Sequence, residues 1–231
     1  MSLTDELRQE TEQILRERWT RRDGSVVPDT DNLKLSNDGV DLDATVLYAD
    51  LAGSTVLVDT KTPTFAAEVY KSYLHCAAKI IRSEEGEITA YDGDRVMAVF
   101  IGGYKSSRAI RAAMKINYAR VNIINPAIER QYPLQSNIVN HSIGIDTSKL
   151  MVARTGIRGA NDLVWVGPAA NYAAKLSSLD PNYTWITKAV YDRAEQWATE
   201  GSNGQNMWES RTWTTMGGKP IYRSNWHWRV E

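Results

Sequence analysis

One cysteine, Cys76, stands in 231 residues, so no internal disulfide can staple the chain. Three scattered histidines, His75, His141 and His227, make no zinc-ligand spacing. A metal would therefore be held by carboxylates, which favours magnesium or manganese. Charge of one sign is also missing: 27 lysines and arginines stand against 28 acidic residues. No global field draws the chain to nucleic acid or to a membrane surface, and no basic run offers a docking tract. No stretch of 18 apolar residues occurs, and the opening MSLTDELRQETEQILRERW has no apolar core followed by a cleavage site. These absences, with no internal repeat or low-complexity tract, lead to the expectation of a soluble, unexported, cytoplasmic protein.

What is present is 42% apolar residues, ample for the core of one large domain with small appendages. Residues 3–20 read as an amphipathic helix with Leu3, Leu7, Ile14 and Leu15 near one face, expected to pack on its own domain or on a second copy. The polar stretch RRDGSVVPDTDNLKLSNDGV reads as an irregular arm. Residues 1–40 thus form an N-terminal helix and linker arm, and 41–231 the main domain.

In DLDATVLYAD, period-2 alternation puts Leu42, Ala44, Val46, Tyr48 and Asp50 on one face of a central strand. Thr62-Pro63 caps a helix carrying Val69, Tyr73, Ala77 and Ile80. GEITAY and DRVMAVFI flank Asp92-Gly93, the signal of a two-residue hairpin turn. A helix is expected from Tyr104 to Ile124, stopped by Asn125-Pro126, then strands at 136–146 and LVWVG, and helices at 168–178 and 187–198. Strand, helix, hairpin, helix, strand is the order of an α+β domain, a mainly antiparallel sheet with helices packed on it. Beyond position 180 the tryptophan-rich RTWTTMGGKPIYRSNWHWRV alternates like a terminal hairpin and reads as core or subunit interface.

Two carboxylates stand out. Asp50 closes the first strand and Asp94 follows the Asp-Gly turn, so a hairpin paired beside that strand brings both to one sheet edge. Neighbouring carboxylates repel unless one takes a proton or a cation sits between them. Two ions roughly 3.5 to 4 Å apart can clamp the attacking and leaving oxygens of a phosphoryl displacement. The small residues of LAGST expose backbone N–H groups that can cradle phosphate oxygens. Taken alone, each feature is also compatible with an ordinary loop or turn.

In order and spacing, YADLAGST, YDGDRVMAVF, HSIGIDTSKLMVARTG and VWVGPAANYAAKL resemble the class III nucleotide cyclases over about residues 41–178, with a weaker echo at TTMGGKPIYRSNW. The resemblance implies a ferredoxin-like βαββαβ core. It implies that Asp50, the backbone carbonyl of Leu51 and Asp94 bind two Mn²⁺ or Mg²⁺ ions per site. The family's Asn-x-x-x-Arg pair falls on Asn171 and Lys175, four apart on one helix face, to orient the ribose and meet phosphate charge. Lysine keeps the charge but loses the planar fork. Lys219 is a further candidate for the triphosphate, or an exposed surface lysine. The family builds two equivalent sites across a homodimer, each half from a different subunit.

The purine-selecting positions of the family fall on Ala90 and Val164, which offer no side-chain hydrogen bond to a base. Tyr48, two positions before Asp50 and roughly 6 to 7 Å from it along the strand, either narrows the base pocket or is a core tyrosine. This combination resembles the bacterial pyrimidine cyclases of Pycsar anti-phage systems. It implies conversion of UTP to 3′,5′-cyclic UMP and pyrophosphate, as a messenger read by a separate cyclic-nucleotide-responsive effector. The alternatives are a cytidylate cyclase, a cyclase acting on ATP or GTP, and a catalytically silent nucleotide-binding module.

Overall fold

The computed structural model describes residues 1–231. The helix α1 (Leu3–Arg16) and strand β1 (Thr20–Asp23) precede the long strand β2 (Asp38–Ala52). Two helices, α2 (Ser54–Thr60) and α3 (Pro63–Ser83), lead to the hairpin β3 (Glu87–Asp92) and β4 (Arg95–Ile101). Helices α4 (Lys105–Ala119) and α5 (Asn125–Gln131) follow, then the hairpin β5 (Asn140–Ile157) and β6 (Ala160–Val166). The chain ends with α6 (Pro168–Leu176), β7 (Thr184–Thr187), α7 (Lys188–Arg193), α8 (Gln196–Thr199), β8 (Glu209–Trp213) and β9 (Lys219–Ser224).

The strands make one sheet in the order β3-β4-β2-β5-β7-β9-β8, with β1 beside β2 and β6 beside β5. All pairings are antiparallel except β1–β2 and β5–β7. Reading β2, α3, β3, β4, α4, β5 along the chain gives the expected βαββαβ core, with β2 central. Both faces of β2 are covered because both faces of its sequence are apolar. Leu47, Ala49 and Leu51 point into the main core under α3 and α4, with Tyr73, Ile81, Phe100, Ile110 and Ile145. Val40, Leu42, Ala44 and Val46 line the opposite core, which α6 closes with Ala169, Ala170 and Ala173. Each large apolar side chain buried this way contributes about 1.5–3 kcal/mol.

The alanine face of α6 allows a close approach. A Cβ at Gly144 of β5 would lie 2.1 Å from the Ala173 carbonyl oxygen and 2.5 Å from the Ser177 nitrogen. Glycine is therefore required there by contact rather than by conformation.

Several boundaries differ from the sequence expectation. The sheet begins at Asp38 rather than Asp41, and part of the arm belongs to it: β1 pairs with β2, and Leu33 packs in the second core. Helix α1 ends at Arg16 and buries no residue; the Asn37 amide holds its end, donating to the carbonyls of Ile14 and Glu17 at 2.8 Å. Asn125-Pro126 does not stop the helical run. A π-helical turn at Arg120–Ile124 follows α4, and α5 continues to Gln131 with Pro126 in its first turn. Proline lacks an N–H and crowds the carbonyl four residues back, and a widened turn accommodates both defects. The helix expected at 187–198 is broken between Arg193 and Gln196, where the Glu195 N–H donates to the Ser107 hydroxyl at 2.8 Å. The terminal hairpin forms at 209–224, earlier and shorter than its alternation indicated.

Candidate active site at the end of the central strand

Asp50 lies near the carboxyl end of β2, with Arg95 of β4 directly opposite on one side and Ser142 of β5 on the other. The β3–β4 turn consists of Gly93 and Asp94, since Asp92 pairs with Arg95. Asp94 is therefore within the turn rather than after it; Gly93, with φ of 60°, takes the left-handed conformation. The hairpin sets Asp94 near Asp50, as the strand-and-turn pattern required.

The charge of Asp94 is felt at Asp50. Burial first, then the charge of Asp94, pushes the Asp50 carboxyl up to about 6, against the opposing pull of Arg95. The Oδ2 atom of Asp94 is buried without a hydrogen-bond partner. An orphaned carboxylate oxygen beside a second, charge-resisting carboxylate fits a divalent cation, which would satisfy the one and stabilise the charge of the other. No third histidine, cysteine or carboxylate completes a cluster. Further ligands must be backbone oxygens, water or substrate, and Leu51, the residue after Asp50, has its carbonyl at this strand end. After Ala52 the chain turns at Gly53, in the left-handed conformation, and enters α2.

Tyr48 shares the Asp50 face and is half-buried between Met97 and Gly144. Its hydroxyl lies 3.0 Å from the Met97 Sδ, and burial raises its pKa. Arg95 joins Tyr48 to the end of β3: its guanidinium lies 5.2 Å from the centre of the Tyr48 ring and 2.9 Å from the Asp92 carboxylate. Ala90 borders the same core, whereas Val164 lies on the exposed face of β6. Arg95 escaped sequence reading although it follows Asp94 directly, because its place beside Tyr48 and Asp50 depends on the β2–β4 register.

Asn171 and Lys175 project from the exposed side of α6, one turn apart, opposite its buried alanines. Neither forms a hydrogen bond or ion pair with Asp50 or Asp94. The Asn171 side chain makes no hydrogen bond, and the Lys175 Nζ reaches only the Met216 Sδ, at 3.5 Å. Lys219 reaches the same helix from β9: its Nζ donates to the Tyr172 hydroxyl and lies 4.4 Å from the centre of that ring. It borders a cavity of about 260 Å³ with Asp146, Thr187, Lys188 and Trp213. Asp146 is buried there, accepts a hydrogen bond from the Thr187 hydroxyl, and has a pKa raised by burial. Within one chain no hydrogen bond or ion pair joins the Asp50–Asp94 pair to Asn171, Lys175 or Lys219. An apolar hollow of about 590 Å³ between α3 and α5 contains none of these residues.

Beneath the carboxylates lies a neutral polar layer. His141 of β5 stands opposite Leu51, fully buried, with its Nδ1 3.3 Å from the Tyr73 hydroxyl. Burial, with a smaller push from the Arg120 charge, brings its pKa down to about 3.

No protein-family model matches the chain. A uridylate cyclase of Xanthomonas perforans is 53% identical over 232 aligned positions, covering 100% of both chains. A uridylate cyclase of Burkholderia cepacia is 48% identical over the same span, again covering 100% of each. Among solved structures, the guanylyl cyclase Cya2 superposes with a TM-score of 0.67 at 21% identity, over 80% of this chain and 92% of that one. This last likeness establishes the fold.

Proposed function

The chain belongs to the uridylate cyclase family, and from that premise we propose that it converts UTP to 3′,5′-cyclic UMP and pyrophosphate. The ribose 3′ oxygen forms a bond to the α-phosphorus, and the bond from that phosphorus to the bridging oxygen of the β-phosphate breaks. The hydroxyl proton is released as the oxygen attacks. The observation that carries this reading is the Asp50–Asp94 pair, one carboxyl pushed up to about 6 and the other with an orphaned oxygen.

Asp50, Asp94 and the Leu51 carbonyl would hold two Mn²⁺ or Mg²⁺ ions per site. When bound, such ions lower the pKa of the attacking hydroxyl and neutralise charge on the leaving group. Tyr48 walls the base pocket on the Asp50 face and shortens it, which favours a single-ring base. Arg95 adds N–H donors beside that wall, which suit the O4 carbonyl of uracil and not the amino group that replaces it in cytosine. Asn171 orients the ribose, Lys175 meets charge developing on the α-phosphate, and Lys219 faces the triphosphate.

Asn171 and Lys175, exposed on α6 and making no hydrogen bond or ion pair with the carboxylates of their own chain, support a homodimer in which this pair of one copy faces Asp50 and Asp94 of the other. No helix is long and apolar enough to cross a membrane. We place the enzyme in the cytoplasm, its product a messenger of bacterial antiviral defence that acts on a separate effector. Purified protein with Mn²⁺ and each of the four nucleoside triphosphates tests the reading, with cyclic UMP and pyrophosphate expected from UTP. CTP-only or purine-only turnover would reassign the base, and no product from any triphosphate would leave a silent binding module.

A further inference from the structure

Six buried side-chain polar atoms have no hydrogen-bond partner, and four of them gather at the carboxyl end of β2. They belong to Asp94 in the turn, to Ser142 and His141 opposite Asp50 and Leu51, and to Asn182, whose N–H donates to the His141 carbonyl. Folding alone gives no reason to bury unpaired polar groups, because each loses its hydration without replacement. The simplest of the four is Ser142. It is 2% exposed, and a β-branched or apolar residue would suit a central strand better.

Alternation along β5 puts Ser142 on the face of Gly144, which is the face of Tyr48 and Asp50. Directly opposed residues bring their Cβ atoms to about 4.5–5.5 Å, within reach of a hydroxyl-to-carboxylate hydrogen bond. The other donors near Asp50 are engaged: Arg95 with Asp92 and the Tyr48 ring, and the Tyr48 hydroxyl with Met97. Directly opposite Asp50, Ser142 keeps a free hydroxyl.

We propose that Ser142 is a positioning residue for Asp50: its O–H, unpartnered in this structure, takes one oxygen of the facing carboxylate as its acceptor when a divalent ion is bound and so turns the other oxygen toward the ion. This rests on the metal role proposed for Asp50. It assigns to a neutral serine the task of holding a carboxylate that no side chain hydrogen-bonds in this structure.

Calorimetric titration of the full-length protein with Mn²⁺, without nucleotide, tests the proposal on Ser142→Ala and the near-isosteric Ser142→Cys. Both should bind Mn²⁺ about 10-fold more weakly, the usual effect of removing a group that orients a metal ligand. Their melting temperatures without metal should be unchanged or higher, since an unpaired buried hydroxyl is gone. Wild-type Mn²⁺ affinity in both variants, with binding lost in Asp50→Asn, would overturn the role of Ser142 and leave the metal assignment standing. Unchanged binding in Asp50→Asn would overturn the metal assignment and the proposal with it. Lower metal-free melting temperatures in both serine variants would assign the hydroxyl to the fold and overturn the proposal.

Discussion

Tyr48 and Gly144 stand opposite each other on β2 and β5, and α6 occupies the space that a side chain at Gly144 would need. The glycine thus lets the helix carrying Asn171 and Lys175 lie against the strand beside the tyrosine. Gly144→Ala would place its methyl 2.1 Å from the Ala173 carbonyl oxygen, so α6 must shift. A destabilisation of about 1–3 kcal/mol is expected, typical of overpacking. Turnover should fall by more than this loss of folded protein explains, because α6 moves its polar face with it. Urea unfolding and steady-state rates on the same preparation check both parts.

Asp50→Asn should abolish turnover while stabilising the metal-free protein at pH 8. Its native pKa of about 6 lies above the usual carboxylate value. The group's favourable contribution is therefore fully present below the unfolded pKa and is lost as pH rises through 6. Because the carboxylate is only half-buried, solvent screening reduces the gain from neutralising it to about 1 kcal/mol. This corresponds to about 2–4 °C in Tm for a chain of this size. Undiminished cyclisation by Asp50→Asn would refute its metal role.

His141 should impose a pH dependence of opposite sign. Its native pKa of about 3 lies below the unfolded value, so its contribution is fully present above about pH 6.5 and disappears as pH falls toward 3. Between pH 6.5 and 5 this group alone should cost the fold about 2 kcal/mol. His141→Gln keeps a partner for the Tyr73 hydroxyl but cannot take up the proton. Urea unfolding at both pH values should show a smaller loss for the variant, and the wild-type-to-variant difference isolates His141 from the opposing Asp50 effect.

Base selection should divide between two neighbouring side chains. Tyr48→Ala removes the wall beside Gly144, so the preference for UTP over ATP and GTP should fall by at least about 10-fold in kcat/KM. Arg95→Gln removes the cationic fork, and discrimination between UTP and CTP should fall by about 10-fold. Competition between paired triphosphates, with the cyclic products separated by chromatography, measures both ratios. If Tyr48→Ala kept full selectivity against purines, the tyrosine would be only a core residue.

What could be read from the sequence follows the range of the interactions. The meeting of Asp50 and Asp94 at one sheet edge and the shared face of Tyr48 and Asp50 were legible because strand alternation and turn chemistry are local signals. The placement of Arg95 and Ser142 beside Asp50 comes from the registers β2–β4 and β2–β5, which no local pattern encodes. The continuation past Pro126 was hidden for the same reason: the Asn125 side chain pairs with the Val139 backbone, a contact that holds the helical run in place. The arm at 20–40 looked irregular because its order comes from pairing with Asp38–Asp41 and from burying Leu33.

The proposed sharing of each site between two copies, Asp50 and Asp94 from one and Asn171 and Lys175 from the other, predicts that mixing two inactive variants restores activity. Asp50→Asn lacks one half and Asn171→Ala the other. In a symmetric dimer with shared sites, each mixed dimer has one site that carries both substitutions and one that carries neither. Random exchange makes half of the dimers mixed, so an equimolar mixture should recover about one quarter of wild-type turnover per chain. Each variant alone should remain near background. Should the mixture stay as inactive as its components after subunit exchange is demonstrated by a labelled chain, both half-sites would have to act within one subunit. The exposed Asn171–Lys175 face would then need another occupant.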